Sequence, residues 1–165
     1  MTETVMEKLT DTLCLRCGMC CSGVLFADVR RECDDPSPLF EQYGPRVAQP
    51  CPVFNSTDCK CALYSVRPAR CRKFECRQLL GVRAGTNPIP QALRQIQAAR
   101  KLVGKIEKFL GQLGFNDVRL PLKLRFRKCQ HAASLGKIST ADFELLAKLQ
   151  LAFHQLNLLL AEEFL

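Results

Sequence analysis

From Asn87 onward the apolar positions fall at helical intervals. Ile89, Leu93, Ile96, Val103, Ile106, Leu110 and Leu113 recur mostly at steps of three and four residues until Gly114. One long amphipathic helix is expected there, with Asn87 as its cap and Pro88 in its first turn. Its polar face carries Arg94, Arg100, Lys101, Lys105 and Lys108 and reads as a mostly solvated face. A second helix is expected from Pro121 to about Gly136, with Leu124, Phe126, Ala132 and Leu135 among its apolar residues and Gly136 placed to end it. A third begins at Ser139, which can cap with Asp142 three residues on, while Ile138 and Phe143 are spaced for a hydrophobic staple. Phe143, Leu146, Leu149, Phe153, Leu156 and Leu160 carry it almost to Leu165. Its end, Leu156 to Leu160, is apolar on nearly every side except Asn157 and is expected to be buried against the other helices or another protein.

Before Asn87 little such periodicity exists. Six prolines, Pro36, Pro38, Pro45, Pro50, Pro52 and Pro68, break up a segment in which a conventional apolar core looks insufficient. The cysteines follow the same division: ten of the 11 in this 165-residue chain lie between Cys14 and Cys76, leaving only Cys129 beyond. Charge does too. Residues 1–78 hold 11 basic and 10 acidic side chains, and residues 79–165 hold 13 and 6, so most of the formal +8 is C-terminal. The expectation is a mostly α protein: a Cys-rich, irregular, metal-organised module over 1–78, packed with about three helices of a basic region over 79–165 as one compact unit.

No stretch approaches the roughly 18 to 20 apolar residues that a membrane span needs, so no membrane partner is expected. The N-terminal MTETVMEKLTDT carries acids where a secretory signal has a basic start and an apolar core, and the expected location is cytoplasmic. In a reducing compartment, clustered thiols bind metal or do redox work rather than forming a disulfide framework. Cys14, Cys17, Cys20 and Cys21 form a C-x2-C-x2-C-C run in which Gly18 lets the backbone turn inward. Cys51, Cys59, Cys61, Cys71 and Cys76 follow after a gap. Cys33 and Cys129 have no partner at chelating distance in sequence and read as ordinary thiols, whereas Cys59, two residues before Cys61, is left undecided.

The succession Cys14-x2-Cys17-Gly18-x-Cys20-Cys21, then Cys51, then Cys61-x2-Tyr64-x2-Arg67-Pro68-x2-Cys71-Arg72-x-Phe74-x-Cys76 resembles the YkgJ-type cysteine-cluster family, described as zinc- or iron-chelating CxxCxxCC proteins. The resemblance covers residues 14–76. It implies that Cys14, Cys17, Cys20, Cys21, Cys51, Cys61, Cys71 and Cys76 are the metal ligands. Eight thiolates suit two four-coordinate zinc sites or one or two iron-sulfur clusters equally well. The family's flagellin lysine-N-methylase-like relatives, described as carrying such a cluster, favour iron-sulfur, with zinc kept open. Adjacent side chains at Cys20 and Cys21 tend to point apart, so they either serve two centres or leave one thiol outside the ligand set. Arg67, Arg70, Arg72 and Lys73 either offset the negative charge of a thiolate centre or form a solvated basic loop. Tyr64 and Phe74 are expected as apolar wall over the site.

Three functions compete. The preferred one is a metal-binding cysteine-cluster protein with a redox or accessory role, whose helical region engages a protein partner. A protein-modifying enzyme related to lysine N-methylases is the second, so whether the chain is an enzyme stays open. The third is a zinc-stabilised nucleic-acid binder, suggested by Arg119, Lys123, Arg125, Arg127 and Lys128 but not favoured, because no recognised motif accompanies that charge and a solvated helix face explains it. His131 and His154 lie far from the cysteines and read as non-ligands. No glycine-rich phosphate loop, dinucleotide fingerprint, H-E-x-x-H or G-x-S-x-G occurs.

Overall fold

The computed structural model describes residues 12–165, so the acidic N-terminal stretch lies almost wholly outside the described residues. The order of elements is α1 (residues 12–17), β1 (Asp28–Arg30), α2 (Pro38–Tyr43), β2 (Arg46–Ala48), β3 (Phe54–Asn55), β4 (Lys60–Cys61), α3 (Ala69–Lys73), α4 (Arg77–Arg83), α5 (Ile89–Gln112), α6 (Leu122–Ser134) and α7 (Phe143–Glu163). The protein is mostly helical, as the apolar pattern predicts. No helix of the described residues is long and apolar enough to cross a membrane.

The three C-terminal helices stand where the periodicity puts them, but two of their caps differ. Pro88 occupies the cap position of α5, with Pro90 in its first turn. Asn87 instead donates its side-chain amide to Gln78 Oε1 at 2.7 Å, because α4 brings a buried glutamine within reach. At α7, the Ser139 hydroxyl accepts the Ala141 N–H and caps a short 3-10 turn, Thr140–Asp142, from which the α-helix continues. Phe143 is more than half exposed, while Ile138 packs against the core. Gly136 takes φ +66 just past α6, in the left-handed region that glycine enters without a Cβ penalty.

Two apolar cores result. The larger joins α4, α5, α6 and α7, with Ile106, Leu110 and Leu149 fully buried and Phe126 stacked on Phe153. Leu13 and Met19, on either side of the first cysteines, are buried in this same core, so the thiol-bearing loop is anchored on the helices. The smaller core is Val29, Leu39, Phe40 and Val47. It sits on a two-stranded antiparallel ribbon in which Val29 faces Val47 and Asp28 faces Ala48. A second ribbon pairs Phe54 with Cys61. The N-terminal half is therefore less irregular than its sequence suggests, though its strands are only two or three residues long.

Polar groups tie the halves together. The Arg77 guanidinium donates to the carbonyls of Ala161 and Glu162, and the Gln78 amide to that of Glu163, which satisfies orphan carbonyls at the end of α7. Within the module, the buried Asp35 carboxylate accepts the backbone N–H groups of Ser37 and Ala69 at 3.1 and 2.7 Å. That fixes the start of α3, and with it the backbone that carries Cys71. Gly23, at φ +79, allows the module to approach α6: a Cβ there would lie 3.2 Å from Pro121 Cα. The Leu122 N–H donates to the Gly23 carbonyl across this contact.

Candidate metal centre

The loop after α1 winds through successive turns, with Gly18 N–H donating to the Cys14 carbonyl and Cys21 and Ser22 N–H donating to the Gly18 carbonyl. Gly18 is at φ +66, and a Cβ on it would meet the Phe54 ring at 2.8 Å and the Cys59 sulfur at 3.3 Å. Both the turn and the close packing require glycine, which folds the loop bearing Cys20 and Cys21 directly off the end of α1, which bears Cys14 and Cys17. Cys51 N–H donates to the Cys21 carbonyl at 2.8 Å and brings the second cysteine segment alongside.

A cavity of about 180 Å³ lies between the two cores, and nine cysteines line it: the eight named by the motif and Cys59. The structure thus brings together thiols that are up to 62 positions apart, from Cys14 to Cys76. Cys33 and Cys129 do not line it. Cys33 is exposed beside Asp34, and Cys129 is fully buried in the helical core, so both behave as separate thiols. Neither histidine lines the cavity. No disulfide joins the described cysteines.

The eight thiols divide by what surrounds them. Cys17 and Cys76 pack against the helical core, and Cys51 and Cys71 against the small one. Electrostatics follows this division in part. Burial pushes the Cys17 thiol up to about 12; the Met19 N–H works against this, and Cys76 and Cys14 add to it by repulsion. Burial also holds Cys20 well above the ordinary thiol range, with Cys17, Cys21, Cys76 and Cys14 raising it further. Cys21 is pushed to about 12 by burial and then by Cys51, Cys71, Cys61 and Cys14. Cys71 rises to about 11 for the same reason, with Cys51 and Cys61 as its repelling neighbours and Arg67 opposing them. Two overlapping neighbourhoods emerge, Cys14, Cys17, Cys20 and Cys76 in one, and Cys21, Cys51, Cys61 and Cys71 in the other, and they meet at Cys21, which Cys14 and Cys20 also face.

Among the described residues, no three His, Cys, Asp or Glu side chains converge closely enough to hold a single metal ion. The thiols surround a space rather than a point. The donor chemistry nevertheless fits a soft metal, since an all-sulfur set selects zinc or iron-sulfur over hard cations. Gln49 also lines the cavity; it is 1% exposed, and its side-chain carbonyl oxygen has no hydrogen-bond partner among the described residues.

Tyr64 and Phe74 line the cavity as expected, as do Arg67, Arg70 and Arg72, whereas Lys73 turns away to pair with Glu32. The Arg67 guanidinium lies 3.9 Å over the Tyr64 ring and donates to the Tyr64 carbonyl. Two arginines assigned to solvated faces have other work. Arg100 donates to the Cys59 sulfur at 3.0 Å and to the Arg16 carbonyl at 2.8 Å, joining α5 to the thiol loop. Arg125 is 4% exposed and donates to the Phe115 carbonyl, because α6 turns that position inward. Its loss from the exposed surface weakens the basic patch read between Arg119 and Lys128. Neither role has a local sequence signal, since the partners are 10 to 84 residues away.

Comparison of the chain with protein-family models, with curated proteins and with solved structures finds no match.

Proposed function

We propose that this chain is a metal-binding cysteine-cluster protein in which two four-thiolate sets hold two metal centres at the junction of its two cores. The observation that carries the reading is the gathering of all eight motif thiols around one cavity, with Cys17 and Cys76 packed against the larger core and Cys51 and Cys71 against the smaller; on that basis the two sets are assigned as Cys14, Cys17, Cys20, Cys76 and Cys21, Cys51, Cys61, Cys71. The resemblance to the YkgJ-type family rests on the same residues. Iron-sulfur is preferred to zinc. A zinc site closes its thiolates on one ion at about 2.3 Å, while about 180 Å³ far exceeds the ~10–15 Å³ that one water requires and suits a polynuclear core.

When bound, such a cluster supplies one-electron chemistry, and zinc supplies structure. The chain's own residues provide the rest. Arg67, Arg70 and Arg72 offset the negative charge of the thiolates, Phe74 and Tyr64 restrict water, and Leu13 and Met19 fix the loop to the helical body. A redox or accessory role with a protein partner follows better than an independent catalyst, because the cavity wall is mostly thiol, apolar and arginine side chains, and the carboxylate among them, Glu75, is paired with Arg83.

Anaerobic purification followed by metal, acid-labile sulfide and visible-absorption measurements on one sample tests this. Iron with matching sulfide and a broad visible band supports the cluster. Zinc near two per chain keeps the two-centre reading but assigns a structural role, and absence of bound metal contradicts the proposal.

A further inference from the structure

α5 and α7 bury one face each, but α7 carries a second seam that is apolar except at His154. Leu149, Phe153, Leu156 and Leu160 form its buried seam. Shifted by two residues, about 200° around the helix, Ala147, Leu151, His154, Leu158, Ala161 and Leu165 are all exposed. They repeat at steps of four and three without a break, Leu165 continuing the spacing just past the last turn. Leu151, Leu158 and Leu165 are 59%, 49% and 58% exposed. Scattered exposed leucines need no explanation, but a continuous coiled-coil spacing opposite the core does.

We propose that this outer seam docks on the same seam of a second copy of the chain, as an antiparallel helix pair. Turning one α7 end for end about a two-fold axis level with Leu156 sets Ala147 against Leu165, Leu151 against Ala161, and His154 against Leu158 of the other copy. Each alanine then faces a leucine, the alternation of small and large that lets facing helices interdigitate. The flanking charges select this direction. Lys148 and Glu162 are exposed at opposite ends of the seam, Lys148 pairing with Glu144 one turn earlier in its own helix. The antiparallel arrangement places Lys148 beside Glu162 of the second copy twice, while a parallel one sets Lys148 beside Phe143 and Glu162 beside Asn157 and makes no charge pair. Gln155 and Asn157, the residues flanking the axis, are uncharged. The contact is isologous and closes on itself, so it makes dimers rather than filaments.

Sedimentation of the full chain over a concentration series, with reductant present to keep the exposed Cys33 from cross-linking, tests the proposal. A reversible dimer is expected. Leu158→Lys should raise its dissociation constant by about tenfold or more. Lys148→Glu should raise it about fivefold, and the double variant Lys148→Glu with Glu162→Lys should restore it. Circular dichroism on each variant reports whether α7 is intact; if Leu158→Lys disturbs it, the charge exchange carries the test, since a merely intrahelical effect would not be rescued 14 positions away. A monomer at every concentration, or a dimer indifferent to the charge exchange, overturns the proposal.

Discussion

In the helical half, Ile106, Leu110 and Leu149 are completely enclosed by side chains of α5, α6 and α7. In the thiol half, the apolar core of its own is only Val29, Leu39, Phe40 and Val47, on a ribbon three residues long, since Leu13 and Met19 are buried in the helical core. Each such side chain contributes about 1.5–3 kcal/mol on burial, and each ordered residue costs about 1–2 kcal/mol of backbone entropy. The residues to be ordered between β1 and α3 far outnumber four core side chains. The helices can hold themselves together, whereas the thiol half needs other ties. Asp35, the Arg77 and Gln78 bonds to α7, and the anchoring of Leu13 and Met19 supply some of them. The proposed thiolate centres supply the remainder.

That contrast can be broken in three ways. The largest effect is expected from removing metal. Chelation should abolish amide-exchange protection around β1, β2 and α3 while leaving the centre of α5 and α7 protected, as followed by hydrogen-exchange mass spectrometry; equal loss in both halves would erase the distinction. Acid should act next. Burial and mutual repulsion raise Cys17 and Cys21 to about 12 and Cys71 to about 11, so these thiols hold protons at neutral pH and a metal must displace them. Protons and metal compete, so lowering pH weakens retention, by up to about tenfold per pH unit for each proton displaced. Metal content measured across an acid titration should fall before α-helical circular dichroism does, with about one proton released per thiol on reloading. The smallest effect on the thiol half should come from Leu149→Ala, which costs about 2–5 kcal/mol in the helical core. Its unfolding midpoint in urea should drop while bound metal per folded chain stays unchanged.

The two halves also differ in how much of them can be read from sequence. α5 and α7 announce themselves because a helix buries one face, and Ile89 through Leu113 and Phe143 through Leu160 repeat that face many times. A strand such as Phe54–Asn55 is too short to show a period, and the small core assembles from residues up to 18 positions apart. The thiols were legible for a different reason: chelating loops need cysteines at close spacing, and eight positions chosen on that basis and on the family pattern line one cavity. What surrounds them was not. Arg100, Gln49 and Asp35 reach the site or its supports through the tertiary fold, and none carries a local signature. Asn87 does not cap because the helix begins one residue later, with Pro88 at the cap position and Pro90, which has no N–H to offer, in its first turn.

The central claim is that two thiol sets, divided between Cys20 and Cys21, hold two separate centres. Native mass spectrometry of the anaerobically purified chain, beside its Cys76→Ser and Cys61→Ser variants, measures this directly. The account predicts a mass increment of two centres in the parent chain and of one centre in each variant. A single increment in the parent that either substitution abolishes, or a parent chain at its bare mass, would contradict it.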